Sequence, residues 1–163
     1  MALIVEDGSI VANANTYASD SAYTAYASQR GITIGADATA REAELINAMD
    51  YIESHRDKFK GYKVSQNQSL QWPRQGVYID QYLFASDAIP QELINAQIEA
   101  AIAVSSGTSI KKTGDYQNVQ SESIGDLSVS YFSGGSFQGL QLDGVNFYLK
   151  SLLKAVCGRL VRV

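Results

Sequence analysis

His55 is the chain's only histidine and Cys157 its only cysteine, so any imidazole base, His-centred metal site or thiolate nucleophile must centre on one of these two residues. His55 stands in Glu53-Ser54-His55-Arg56-Asp57, among charged residues near the end of a predicted helix. A solvated imidazole favourable to the helix dipole accounts for it there. Cys157 follows an apolar helical face. Lys154 and Arg159 could lower its pKa, but a free cysteine in that setting reads first as a small packing hydrophobe. The carboxylate pairs Glu6/Asp7 and Glu42/Glu44 are close in sequence, yet helical residues two apart do not share a face, so acid/base pairing has no support. Ser133-Gly134-Gly135-Ser136 has neither dinucleotide nor P-loop spacing and reads as linker. Catalytic, cofactor and metal sites are therefore expected to be absent, and the protein is expected not to be an enzyme.

The remaining chemistry is recognition. Ten tyrosines are many for this length, and a tyrosine ring can bury area while keeping a polar tip at an interface. The one tryptophan lies in Gln71-Trp72-Pro73-Arg74, which joins a large aromatic, a φ-locking proline and a planar cation. Trp72, Pro73 and Arg74 are expected to anchor a loop, with Trp72 against the helices and Arg74 on a carboxylate or helix end. Use of part of the segment as an interprotein hot spot is the other reading.

The elements that must position these residues follow from periodicity. Leu3–Val5 suits a short strand, and Asp7-Gly8 a turn. A short amphipathic helix is predicted from about Asp20 to Gln29, capped at Thr16 or Ser19 and stopped by Gly31. A second runs from Asp37 to a basic last turn with Lys58 and Lys60 before Gly61, burying Leu45, Ile46, Met49 and Ile52. Gly61 to Ile89 reads as a long ordered loop, a type that commonly carries function. Pro90 suits the first position of a third helix ending near Gly107. Tyr116 to Tyr131 alternates apolar and polar residues around Gly125-Asp126 and predicts a β-hairpin within about 110–132. A fourth helix is predicted over Val145–Val156, stopped by Gly158. The fold class is α+β, mainly α: about four helices in a small bundle, a hairpin and the long loop. One domain is expected over 1–157, with 158–163 as a tail.

The whole chain sets limits on function. Its 163 residues, 45% hydrophobic and 18% charged, suffice for a folded core. A net charge of -4 argues against a general nucleic-acid coat, although local basic patches remain possible. The start lacks a signal-peptide pattern and no run reaches the roughly 20 apolar residues of a membrane span. A soluble protein of a reducing cytoplasm is the expectation, with no membrane partner.

Several segments, in order, resemble the head-tail connector (adaptor) proteins of long-tailed bacteriophages, a family also described as carrying a DnaT-like single-stranded-DNA-binding domain. They are Leu3-Ile4-Val5-Glu6-Asp7-Gly8 with Ala12-Asn13-Ala14-Asn15-Thr16-Tyr17, Glu44 to Ile52, and Phe59-Lys60-Gly61 with Gln71-Trp72-Pro73-Arg74-Gln75-Gly76. Ile89-Pro90-Gln91-Glu92-Leu93 and Val119 to Tyr131 complete the set. The resemblance implies a structural role in the virion: a dodecameric ring of neighbouring copies between the portal protein and a tail-side stopper or tail-completion protein. Double-stranded DNA would pass through its lumen without sequence-specific binding. It also implies that the tail Arg159, Leu160, Val161, Arg162 and Val163 docks on the portal, that the protein is made in the host cytoplasm, and that it is a monomer or loosely associated when isolated.

The DnaT-like description brings an alternative, single-stranded-DNA binding in replication. That function needs aromatic stacking platforms within a positive groove. Trp72 and the tyrosines supply rings, but the basic residues look scattered, with Lys111-Lys112 the only adjacent pair. A small hydrolase or nuclease would need a set of residues that is not present.

Overall fold

The computed structural model describes residues 2–108, 110, 121–124, 127–130 and 142–154. Within them the element order is α1 (Asp20–Gln29), α2 (Ala38–Glu53), β1 (Tyr62–Lys63), β2 (Arg74–Gln75), β3 (Tyr78–Ile79), β4 (Tyr82–Leu83), α3 (Gln91–Ser105), β5 (Ser121–Ile124), β6 (Leu127–Ser130) and α4 (Asp143–Leu149). This is the α+β, mainly α class that the periodicity predicts. The chain divides into two compact units, one of residues 1–110 and 142–163 and the other of residues 111–141. In the second unit β5 and β6 pair antiparallel, Ser121 opposite Ser130 and Ile124 opposite Leu127, around the predicted Gly125-Asp126 turn position.

Local chemistry sets the helix starts. The Ser19 hydroxyl accepts from the Ala22 N–H at 3.1 Å and the Asp37 carboxylate from the Thr39 N–H at 3.2 Å, each satisfying a donor left over by the first turn. Arg41 then ties α2 back to α1, donating from Nε to Asp20 at 2.6 Å. Pro90 is the residue before α3 and not its first helical residue, with an extended ψ of 138°. The small side chains Ala96, Ala100 and Ala101 let α3 lie close to both α2 and α4. Gln97 is fully buried and joins three segments: its Oε1 accepts from the N–H groups of Tyr17 and Ala18, and its Nε2 donates to Thr16 Oγ1 and the Leu45 carbonyl.

Two helix boundaries differ from expectation for one reason. α2 stops at Glu53, and Lys58 and Lys60 lie outside it; α4 covers Asp143–Leu149 instead of Val145–Val156. Between them the chain makes a single antiparallel bridge, Phe59 opposite Leu153. The Lys60 N–H donates to the Leu152 carbonyl at 3.0 Å, and the Lys154 N–H to the Lys58 carbonyl at 2.8 Å. These long-range bonds, with Phe59 and Leu152 fully buried, outweigh continuation of either helix. Residues 155–163, and with them Cys157 and the expected docking tail, lie outside the described residues. Leu3–Val5 makes only an isolated bridge, Val5 with Thr16.

Candidate nucleic-acid interface

The loop from Gly61 to Ile89 is ordered around Trp72. Its ring is fully buried, edge-on to Phe59 at 6.1 Å and to Phe84 at 6.2 Å between centroids, and the Trp72 backbone N–H donates to the Tyr17 hydroxyl at 3.0 Å. Pro73 is also buried, and its carbonyl accepts from Gln68 Nε2 at 3.0 Å. Arg74 is buried too. Its guanidinium pairs with no carboxylate or helix end among the described residues. It donates instead to the carbonyls of Lys60 at 2.7 Å, Gly61 at 2.8 Å and Gln71 at 3.4 Å. Burial lowers its pKa, opposed by the nearby Tyr17 and Glu53, and it remains a cation. The planar fork thus collects carbonyls from the segments just before β1 and β2.

Glu53 links this loop to α2. Its Oε1 accepts from the Tyr17 hydroxyl and from the Gln71 N–H, each at 3.0 Å. Burial pushes the Glu53 carboxyl above its ordinary value of 4.5, against those two hydrogen bonds and the Lys63 charge. A carboxyl with a raised folded-state pKa contributes stability that is fully present below its unfolded pKa and is lost as pH rises through the folded value. Glu53→Gln can keep the acceptor and removes the buried charge. The difference in urea-unfolding free energy between this variant and the parent is expected to shift in the variant's favour as pH rises from about 4.5. A difference flat with pH would refute the role given to this carboxyl.

On its outer side the same loop carries exposed aromatics. Tyr62, Tyr78 and Tyr82 are 77%, 57% and 80% exposed, with Leu83 beside them at 65%, whereas Tyr17, Tyr23, Tyr26 and Tyr51 are buried in the core. Tyr62 pairs with Gln75 across β1 and β2, and Tyr78 with Leu83 across β3 and β4. Gly61 lets the chain before β1 pass close to the end of β2. At φ +65° it lies so close to the Gln75 carbonyl and Val77 Cγ2 that a Cβ could not be placed there.

Cations flank this loop along the chain and across the backbone bridge. Arg56, Lys58, Lys60 and Lys63 precede or enter β1, and the bridge between Phe59 and Leu153 adds Lys150 and Lys154 from the end of α4. Lys60 Nζ spans the two parts, donating to the Ser151 carbonyl at 2.6 Å and the Tyr78 carbonyl at 3.4 Å. Asp57 and Asp80 are the acids within residues 54–64, 76–84 and 150–154. Arg56 and Asp57 make an exposed ion pair at 4.0 Å, and exposed pairs of this kind hold little energy. Tyrosine faces of this kind can stack bases and lysines can neutralise phosphates.

The other candidates behave differently. His55 is half-buried just past α2: its Nδ1 lies 3.0 Å from the Tyr51 carbonyl, and its ring stands edge-on to Tyr51. Burial lowers its pKa, opposed by the contact with the Tyr51 carbonyl. Glu44 accepts from the Tyr23 hydroxyl, and Glu6 folds its own loop by accepting from the N–H groups of Gly8, Ile10 and Val11. No metal-binding group of three His, Cys, Asp or Glu occurs among the described residues, and none of their helices is long and apolar enough to cross a membrane. Lys111 and Lys112 lie outside the described residues.

The lysine gathering is the part that sequence reading missed. Lys58 and Lys60 looked like a helix's basic last turn, and Lys150 and Lys154 are about ninety positions away; only the backbone bridge brings the two pairs together. An alternation of Lys and aromatic over Lys58-Phe59-Lys60-Gly61-Tyr62-Lys63 was the available signal.

No curated protein and no solved structure matches the chain. A family match does, and it corrects the expectation of a phage head-tail connector with its portal, ring and virion location: the family's description is of DNA binding, and no finding speaks for a phage structural part. The physical reason for the misreading is that the resembling segments are largely interior. Leu45, Met49, Ile52, Phe59, Trp72 and Leu93 build a core, and a shared core does not specify what the surface assembles with. The match extends over residues 1–163, to the family described as "Putative DnaT-like ssDNA binding protein", and the chain belongs to that family.

Proposed function

We propose that the protein binds single-stranded DNA through the outer surface of the Gly61–Ile89 loop and the adjoining end of α4, as a binding module without catalysis. The observation that carries this reading is the placement of exposed Tyr62, Tyr78 and Tyr82 beside lysines drawn from two distant chain segments. The family's description points the same way. The net charge of -4 fits a local patch better than a general coat, since acids dominate elsewhere and would repel a duplex laid across the whole surface.

Stacking on a tyrosine needs an unpaired base with its face available, so a duplex offers the surface only its phosphates. Fluorescence anisotropy with a labelled oligothymidine and with the matching duplex, at stepped salt, tests the proposal. The single strand is expected to bind tighter, with log K falling linearly in log salt at a slope of about -3 if about four phosphates are neutralised. Equal binding to the duplex, or no salt-dependent binding to the single strand at low salt, would overturn it.

A further inference from the structure

A second surface lies in the groove between α1 and α3. We infer that this groove, built around Arg30 and Tyr26, is a nucleobase subsite that extends the single-stranded-DNA path beyond the exposed tyrosines of the Gly61–Ile89 loop; the inference rests on the DNA-binding reading above. The groove has a volume of about 300 Å³, at the small end of the ~300–1,000 Å³ usual for ligand pockets. That suits one planar group.

Its lining has the chemistry of base recognition. The Arg30 guanidinium carbon lies 3.4 Å from the centroid of the Tyr26 ring, so one face of the cation is stacked while the residue remains exposed. A base laid on the outer face would complete a ring, cation, base stack, with the charge held flat by Tyr26 and by a weak bond from Nη1 to the Tyr26 carbonyl at 3.5 Å. Gln29, Gln91 and Asn95 supply amides, each with donors and an acceptor of the kind that reads a base edge, and Ile98 gives the groove an apolar wall. Gln91 donates to Asn95 at 3.0 Å, which fixes both amides in orientation. No carboxylate lines the groove.

Residues of α4 lead from this groove toward the Gly61–Ile89 loop. The Tyr26 hydroxyl lies 3.0 Å from that of Tyr148, which stands edge-on to the exposed Phe147. Phe147 lies in α4 shortly before Ser151, whose carbonyl accepts from Lys60. Glu99 is the acid met along this line, and its Oε1 is engaged by the Tyr26 hydroxyl.

The test uses the full chain, oligothymidines from about 5 to about 30 nucleotides, which bracket the ~4–16 nucleotides of known single-strand sites, and the variants Arg30→Ala and Arg30→Lys. Arg30→Ala is expected to weaken binding of the longest strand about tenfold, with the loss growing with strand length. Arg30→Lys keeps the charge and loses the plane, so its affinity should also fall while the salt slope stays as in the parent. Unchanged melting temperatures would show that both variants are folded. If Arg30→Ala binds every length as the parent does while Tyr62→Ala weakens all of them, the groove is not on the path and this inference fails alone. Rescue by Arg30→Lys would make Arg30 a phosphate contact and overturn the base subsite. Absence of binding by the parent protein would remove the DNA reading itself.

Discussion

Trp72→Ala is expected to lower folding stability by about 3–5 kcal/mol, the cost of truncating a fully buried large aromatic. In a chain of this length that corresponds to a fall in melting temperature of about 6–20 °C. The effect should lie at the upper end because little can collapse into the space. Phe59 and Phe84 meet the ring edge-on from different segments, and Phe59 is itself held by the backbone bridge to Leu153. The Trp72 Nε1 finds no hydrogen-bond partner among the described residues, so Trp72→Phe breaks no such bond and should cost well under half as much. Thermal and urea unfolding of the two variants measures both numbers. A variant with unchanged stability but lost DNA binding would make Trp72 a contact residue and refute its assignment as the loop's anchor.

The sequence showed elements whose signal is local. Ser19 and Asp37 cap helices by bonding to N–H groups two or three residues on, and the apolar spacing in α2 and α3 marks their buried faces without reference to anything distant. The hairpin of β5 and β6 was equally local, an alternation around Gly125-Asp126. Where the decisive bond was long-range the reading failed. Lys60 and Lys154 donate their N–H groups to carbonyls across the chain, so α2 and α4 both end early, and no periodicity within either helix announces it. Arg74 is similar: a lone cation invites a search for a carboxylate, but the strongest need nearby was for donors to loop carbonyls. Half of the candidate site was visible as tyrosines and a Lys-aromatic alternation. The other half depended on α4 stopping at Leu149.

That dependence sets apart two kinds of contact and leads to the second large effect. The double variant Tyr62→Ala with Tyr82→Ala is expected to weaken single-stranded-DNA binding by about 2–6 kcal/mol, taking ~1–3 kcal/mol per stacked base and independent sites. Both side chains are more than three-quarters exposed, so they contribute little to the core, and the melting temperature should stay within about 2 °C of the parent. Because the removed groups are uncharged, the salt slope should be unaltered. Lys58→Gln, by contrast, should weaken binding modestly and reduce the slope by about 0.7, one phosphate's share. Tyr62→Phe with Tyr82→Phe keeps both ring faces and should bind nearly as the parent does. If the phenylalanine pair loses as much as the alanine pair, the hydroxyls and not the rings carry recognition. If neither pair changes affinity while Lys58→Gln does, the surface holds only phosphates and stacking on these tyrosines is refuted.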